Sequence, residues 1–160
     1  MSILWPERFE PESAPVHVRN EIDIAASCER VWAWLIRAEQ WPRWYPNSHR
    51  VRFLHGNPPD LQLGARFRWR TFGVGVTSSV REFVAPVRIA WDARGLGVDA
   101  YHAWLIEPVE RGCRVITEET QYGFLAILSH KLMPKRMFRG HALWLDRLQK
   151  NAARGWPPSA

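Results

Sequence analysis

The sequence predicts an α+β fold in which a curved antiparallel sheet of seven strands wraps around one long C-terminal helix. Between His49 and Phe124 the chain is a succession of strand-length runs separated by turn residues, which is typical of an antiparallel meander. Beyond them apolar residues recur with helical spacing from Met137 to Ala152. Pro134 is expected to kink this helix or to mark where its regular part begins. The terminal helix is the only predicted element long enough to cover the apolar face of the sheet.

The first predicted strand and two short helices occupy residues 16 to 46. From Val16 to Ile24 apolar and polar residues largely alternate, as in a strand with one buried face. Ser27 stands at a helix N-cap position, because its hydroxyl can accept a backbone N–H just before an apolar helical stripe. The segment WPRWYP then ends the helical pair, since a helix cannot continue through two prolines so close together.

Six further strands are predicted between turn residues, at 49 to 55, 65 to 72, 75 to 84, 87 to 94, 100 to 108 and 113 to 123. In the second of these, Arg66, Arg68 and Arg70 alternate with largely aromatic residues. Successive side chains of a strand point to opposite faces, so one face is cationic and the other aromatic. We expect the aromatic face to lie inside and the arginines to be solvated.

The ends of the chain are predicted to lie outside a single domain at residues 16 to 153. Residues 1 to 15 are rich in proline and lack a periodic pattern, which predicts an extended arm with Trp5 and Phe9 docked on the body. Residues 154 to 160 are predicted to form a C-terminal tail. A length of 160 residues suits one domain and leaves no room for a second full one.

Composition narrows the class of protein. Hydrophobic residues make up 46% and charged residues 24%, close to the average for soluble globular proteins. The net charge of +6 comes from basic residues spread along the chain, which favours a solvated face over a nucleic-acid site. Cys28 and Cys113 are too few for a disulfide scaffold and are predicted to be buried thiols. The N-terminus lacks the pattern of a signal peptide, so we expect a cytoplasmic protein.

The 10 tryptophans are unusual for this length. Indole rings serve either as dense core packing or as the walls of a cavity, and both interpretations stay open at this point. A curved sheet that grips one helix is hard to close at both ends, and the gap is a natural pocket.

The order of the elements resembles the START/polyketide cyclase-like (SRPBCC) superfamily with its helix-grip fold, from residue 16 to 153. The resemblance is carried by the segments IDIAASCERVWAWL, WPRWYP, VREFVAPVRIAW, WLIEPVERGCRVITEE and HALWLDRLQKNAA. It implies an internal cavity between sheet and C-terminal helix for lipids, polyketides, sterols, hormones or other apolar molecules. Members range from binders to cyclases and dehydratases without a universal catalytic motif, so the resemblance implies no catalytic residue.

The segment AYHAWLIEPVERGCRVITEET predicts a β-hairpin whose cross-strand pairs can be worked out from the sequence. A four-residue hairpin loop at residues 109 to 112 would set Pro108 opposite Cys113 and, by extension, His102 opposite Glu119. With the preceding hairpin, the same face carries an apolar wall of Ile89, Trp91, Trp104 and Ile106.

His102 and Glu119 are the candidate catalytic pair. A carboxylate beside an imidazole could make a general acid or base for enolisation, dehydration or aldol chemistry. The alternative is a hydrogen-bonded pair that orients a ligand or satisfies itself. The last strand does not alternate cleanly, and a one-residue slip would turn Glu119 outward and Glu118 inward.

The candidate ligand contacts are apolar and aromatic residues of the strands and of the terminal helix, with simple core packing as the alternative for each. His141 lies on the apolar stripe of that helix, where it could reach the cavity or be a satisfied core histidine. The set is Trp69, Trp91, Trp104, Ile106, Tyr122, Met137, His141 and Trp144.

Other site types find little support. The histidines and cysteines have no zinc-chelating spacing, and no dinucleotide fingerprint, phosphate-binding loop or serine nucleophile elbow occurs, so we expect neither metal nor cofactor. The outer arginines lack the interleaved aromatic rings of a single-stranded nucleic-acid site, although transient contact with an anionic membrane stays open. The predicted function is a monomeric or homodimeric carrier of a hydrophobic molecule. Alternatives are a cofactor-free polyketide cyclase or dehydratase and a protein-binding member of the fold.

Overall fold

The computed structural model of the protein describes residues 2–158, so Met1 of the predicted arm and Ser159 and Ala160 of the predicted tail lie outside it. A curved antiparallel sheet has the order β1-β7-β6-β5-β4-β3-β2. Its strands are β1 Val16–Ile24, β2 His49–His55, β3 Arg66–Thr71, β4 Val74–Val84, β5 Arg88–Gly95, β6 Val98–Val109 and β7 Gly112–Tyr122. The predicted α+β fold is confirmed, with strand boundaries within two residues of the expected ones.

Four helices complete the fold, namely α1 Cys28–Ile36, α2 Trp41–Trp44, α3 Phe124–Leu132 and α4 Arg136–Arg154. The side chain of Ser27 accepts a hydrogen bond from the backbone N–H of Arg30 at 3.3 Å and so caps α1 as predicted. Pro134 lies in the link between α3 and α4, which confirms that it marks the start of the long terminal helix. None of the described helices is long and apolar enough to cross a lipid bilayer.

The predicted hairpin register is confirmed. Pro108 pairs with Cys113 and His102 with Glu119, while Val109 also pairs with Gly112, so the loop is shorter than predicted. Gly112 has a φ of 128°, and a Cβ at this position would lie 2.1 Å from the carbonyl oxygen of Ile24. Only glycine fits there, because the backbone of β7 passes so close to the end of β1.

The core lies between the inner face of the sheet and α4. Trp41 of α2 is fully buried at its centre, and its ring contacts those of Phe67, Trp69, Trp91 and Trp144 at centroid distances of 5.1–5.8 Å. Edge-to-face and tilted aromatic contacts of this kind add stabilisation beyond the area that they bury. Much of the tryptophan content is therefore core packing, and three of the rings, Trp69, Trp91 and Trp144, also line the cavity described below.

The N-terminal arm covers part of the outer face of the sheet. Phe9 is buried and stacks on Tyr101 at 5.6 Å, and its ring contacts Tyr122 at 6.0 Å. Trp5 contacts Tyr101 at 5.7 Å. The predicted docking of Trp5 and Phe9 is confirmed, although the arm includes one 3₁₀ turn and is not extended throughout.

Candidate ligand cavity

A cavity of about 270 Å³ lies between the inner face of the sheet and helices α3 and α4. Trp69 of β3 and Trp91 of β5 form part of its sheet wall, and Met137 and Trp144 of α4 lie across from them. Trp144 is held in place by a stacked contact with Tyr45 at 4.4 Å. The cavity wall is therefore largely apolar and aromatic, and its large rings are fixed by packing behind them.

Most of the predicted site residues meet at this cavity. The predicted site residues that line the cavity are Trp69, Trp91, His102, Glu119, Met137, His141 and Trp144. Trp104 and Ile106 are also buried on the inner face, but they lie in the core and do not line the cavity. For these two residues the core-packing interpretation applies.

Tyr122 does not line the cavity, and its prediction as a ligand contact is corrected here. Its ring packs against Phe9 on the outer face, and its hydroxyl lies 3.1 Å from Oγ of Ser13. Side chains alternate along a strand, and Tyr122 is three positions from the inward Glu119. The predicted orientation of Glu119 therefore already required Tyr122 to face outward.

Glu119 forms the centre of a polar cluster at the cavity wall. Its Oε2 accepts a hydrogen bond from His141 Nε2 at 3.0 Å and lies 3.3 Å from His102 Nδ1. Its Oε1 accepts a hydrogen bond from Gln121 Nε2 at 2.6 Å. His102 Nε2 lies 2.7 Å from Thr117 Oγ1, which holds the ring from its other side. Both carboxylate oxygens therefore have donors, although the group is almost fully buried.

Glu118 settles the register that the sequence left open. Its carboxylate contacts His17 Nε2 at 3.1 Å and Arg19 Nη1 at 2.6 Å, both on the outer face of β1. A slip of one residue would have placed Glu118 in the cavity. The structure instead places Glu119 there.

Burial dominates the electrostatics of the cluster. Loss of solvent lowers the pKa of His102 to about 3, so its ring is neutral at physiological pH. Burial alone would raise the pKa of Glu119, but its interaction with His102 and the hydrogen bonds from His141 and Gln121 lower it to about 2. The cluster therefore presents a carboxylate and a neutral imidazole whose pKa values lie far from 7.

His141 contributes more than its sequence position suggested. Its ring stacks on that of His102 at a centroid distance of 4.8 Å and an interplanar angle of 16°. Since a carboxylate accepts hydrogen bonds, His141 Nε2 must donate to Glu119. Its Nδ1 is buried and has no hydrogen-bond partner. An imidazole that donates from one nitrogen can accept at the other when the ring is uncharged.

The same three residues offer two imidazole nitrogens and a carboxylate oxygen within 4.8 Å of one another, the donor set of several metal sites. The ring planes argue against that use. Imidazole lone pairs lie in the plane of the ring, and two stacked, nearly parallel rings cannot both direct them at one ion. The arrangement of His102, Glu119 and His141 therefore fits hydrogen bonding better than metal binding.

Several lining residues were missed by the sequence reasoning. Gln121 lines the cavity and Thr117 holds His102 from behind, and both share the inward parity of Glu119 in β7, which was the signal that could have identified them. Leu125, Leu128 and Leu132 of α3 also line the cavity. Their helical spacing was visible, but the way that α3 folds back over the sheet was not.

Comparison with known proteins gives a family match and a close structural match. The family model described as "Polyketide cyclase / dehydrase and lipid transport" matches residues 15–153. The crystal structure of a hypothetical protein from Helicobacter pylori is 31% identical, with 95% of this chain and 96% of that chain covered and a TM-score of 0.88. No curated protein matches the chain.

Two more distant structures share the fold. The di-domain ARO/CYC StfQ from the steffimycin biosynthetic pathway has a TM-score of 0.72 at 14% identity, with 87% of this chain and 51% of that chain covered. A START superfamily protein from Mycobacterium smegmatis has the same TM-score and identity, with 86% and 97% covered. At these identities the similarity establishes the fold alone.

Proposed function

Because the chain belongs to the polyketide cyclase/dehydrase and lipid transport family, we propose that it binds and carries one small hydrophobic molecule in the cavity beneath α3 and α4. Family and fold together support a protein of the ligand-binding or polyketide cyclase type. The choice between these two depends on the polar groups of the cavity, which are few and closely clustered.

The observation that carries the proposal is a largely apolar cavity with its polar cluster at one wall. Its volume of about 270 Å³ is just below the roughly 300–1,000 Å³ of sites for drug-sized molecules. A compact ligand therefore fits better than a long or many-ringed one. Its apolar surface would lie against Trp69, Trp91 and Trp144, whose rings offer large contact areas that are already ordered.

The cluster supports a ligand that carries a hydroxyl group. Glu119 holds His141 Nε2 as a donor, which leaves the partnerless Nδ1 as the acceptor in the neutral ring. A ligand O–H bonded there would satisfy a buried polar atom, and such a bond is worth roughly 1 kcal/mol net. The hydroxyl would thus set the ligand's orientation while the aromatic walls supply most of the affinity.

The pKa values of His102 and Glu119 favour a carrier over an enzyme. An efficient general acid or base has a pKa near the working pH. The pKa of His102 is lowered to about 3 and that of Glu119 to about 2, so both are weak bases that are already deprotonated at pH 7. His102 Nε2 is also paired with the Thr117 hydroxyl, and Glu119 Oε1 accepts a hydrogen bond from Gln121. The cluster therefore suits fixed hydrogen bonding.

Partly blocking the cavity should weaken binding. Ala100 is buried on β6 and lines the cavity, so Ala100→Phe should fill part of it and weaken binding at least about tenfold, which corresponds to a loss of about 1.4 kcal/mol of binding free energy. Binding is measured by tryptophan fluorescence with a panel of fatty acids, sterols and aromatic polyketides, together with single-ring and two-ring phenols.

The matched control is Ala153→Phe, which adds the same side chain at an exposed position of α4. It should bind like the wild-type protein. Circular dichroism confirms that both variants are folded. Should no compound of the panel change the fluorescence, and should no apolar molecule co-purify with the protein from its native host, the carrier proposal fails.

The second candidate is a cofactor-free cyclase or dehydratase, favoured by the contact of Glu119 with both imidazoles at the cavity wall. A binding panel that includes a poly-β-ketone substrate separates the two functions. For a carrier, His102→Ala changes affinity and no turnover is seen in either protein. Turnover by the wild type that is lost in His102→Ala at unchanged affinity would establish the enzyme instead.

A further inference from the structure

Helix α3 carries an exposed apolar stripe. Phe124, Leu128 and Leu132 follow one another at intervals of four residues, and 64%, 49% and 71% of their surfaces are exposed. Ala126 is the single fully buried residue of the helix. A helix that is apolar on its outer side as well as toward the protein is normally covered by something else.

The stripe continues onto neighbouring segments. Met133 in the link before α4, Phe138 in its first turn and Leu96 in the β5–β6 turn are 47%, 50% and 77% exposed. The turn abuts the helix, since a Cβ on Gly97 would lie 2.7 Å from the Phe124 ring. We call this set the α3 surface, made up of Leu96, Phe124, Leu128, Leu132, Met133 and Phe138.

Positive charge surrounds the α3 surface. From residue 120 to residue 145 the chain has four lysines and arginines and no aspartate or glutamate. Lys131, Lys135, Arg136 and Arg139 are all exposed. The basic residues are thus less evenly spread than composition suggested, and this short segment carries much of the net charge of +6. An apolar patch with a basic border is complementary to an anionic lipid surface.

The α3 surface also adjoins the mouth of the cavity. Leu128, Leu132, Met133 and Arg136 are exposed and at the same time line the cavity. The half-buried Ser129 also lines it. A partner that covers α3 would therefore also cover residues that line the cavity.

We propose that the α3 surface docks on an anionic lipid bilayer, with its apolar side chains at the level of the headgroups and its lysines and arginines on the lipid phosphates. The arginines of β3 are a weaker candidate, because Phe67 and Trp69, which alternate with Arg68, are buried on the other face. Charge alone is present there, whereas α3 offers charge and apolar area together.

Docking is tested by flotation of the wild-type protein with vesicles of pure phosphatidylcholine and of equimolar phosphatidylcholine and phosphatidylglycerol. We expect binding to the anionic vesicles that weakens as salt is added. Lys131→Gln with Lys135→Gln should reduce the affinity about 25-fold, from about fivefold per basic side chain at a charged membrane. Phe124→Ser with Phe138→Ser should reduce it at least about tenfold.

The matched control is Arg66→Gln with Arg68→Gln, which removes the same charge from exposed positions of β3. It should leave vesicle affinity within about twofold of the wild type. The proposal is overturned if the wild type does not bind anionic vesicles, binds neutral ones equally, or loses as much affinity in this control. It is also overturned if the wild type sediments as a dimer that Phe124→Ser with Phe138→Ser dissociates.

Neither Phe124 nor Phe138 lines the cavity, so ligand binding in solution reports separately on the proposed function. If the protein binds vesicles but no ligand, the carrier proposal is wrong and the docking proposal is retained. If it binds a ligand but no anionic vesicles, only the docking proposal is wrong.

Discussion

Replacement of Trp41 by alanine is expected to lower the free energy of unfolding by about 3–5 kcal/mol, the usual cost of removing a buried tryptophan. The ring is fully buried and contacts four other aromatic rings, among them Trp144 at 5.1 Å and Trp69 at 5.4 Å. Its Nε1 also donates a hydrogen bond to the carbonyl oxygen of Leu35 at 2.9 Å, which ties α2 to the end of α1. The loss therefore combines a large void with an unpaired buried carbonyl.

Urea unfolding followed by circular dichroism measures this change. Trp156→Ala is the matched control, because 59% of the surface of that residue is exposed and its ring has a cation–π contact with the Arg30 guanidinium at 6.0 Å. It should cost less than about 1 kcal/mol. A loss below about 1 kcal/mol for Trp41→Ala would mean that the ring is not the centre of the core.

Local sequence patterns predicted the sheet well because each strand is marked by its own residues. Alternation located β1 and β3, and turn residues located the ends of the later strands. Gly112 fixed the β6–β7 hairpin, and the period of two then carried the register as far as His102 and Glu119. Cross-strand neighbours can be predicted in this way because one turn determines every pair along the two strands.

The contact between Glu119 and His141 could not be predicted in the same way. Glu119 belongs to β7 and His141 to α4, and the rotation and height of a helix over a sheet depend on packing along its whole length. The apolar stripe predicted which side of α4 faces the sheet, but not that His141 reaches the carboxylate more closely than His102 does. The cluster was therefore predicted as a pair, and the structure adds a third member.

Tyr122 and α3 illustrate two further limits. Tyr122 was assigned to the cavity because its type suits ligand contact, although strand alternation already turned it outward. The sequence predicts one terminal helix that Pro134 either kinks or begins, whereas in the structure α3 packs separately over the cavity and α4 begins after Pro134. The facing of Tyr122 follows from its position in the strand and not from its residue type. The separate packing of α3 depends on long-range contacts that a local sequence pattern does not contain.

Acid is expected to destabilise the protein through His102. Because burial lowers the pKa of this ring from 6.5 to about 3, the folded chain excludes a proton that the unfolded chain binds below about pH 6.5. The contribution of the neutral His102 ring to the free energy of unfolding is complete above pH 6.5 and is lost as the pH falls toward 3. Between pH 7 and pH 4 the loss is about 3 kcal/mol, at about 1.4 kcal/mol for each pH unit below 6.5.

Glu119 acts in the same direction over a lower range. Its pKa is lowered from 4.5 to about 2, so the stability that it contributes is present above pH 4.5 and is lost as the pH falls toward 2. Most of the change between pH 7 and pH 4 therefore belongs to the histidine. The two groups can be separated because their unfolded pKa values differ.

Urea unfolding at pH 7 and pH 4 measures the loss for the wild type, for His102→Asn and for His55→Asn, in which an exposed histidine is replaced. The wild type and His55→Asn should lose similar amounts, whereas His102→Asn should lose about 3 kcal/mol less. Comparing the two pH values within each protein cancels any general cost of the substitution. An equal loss in all three proteins would place the acid sensitivity elsewhere and remove the argument that His102 stays neutral in the cavity.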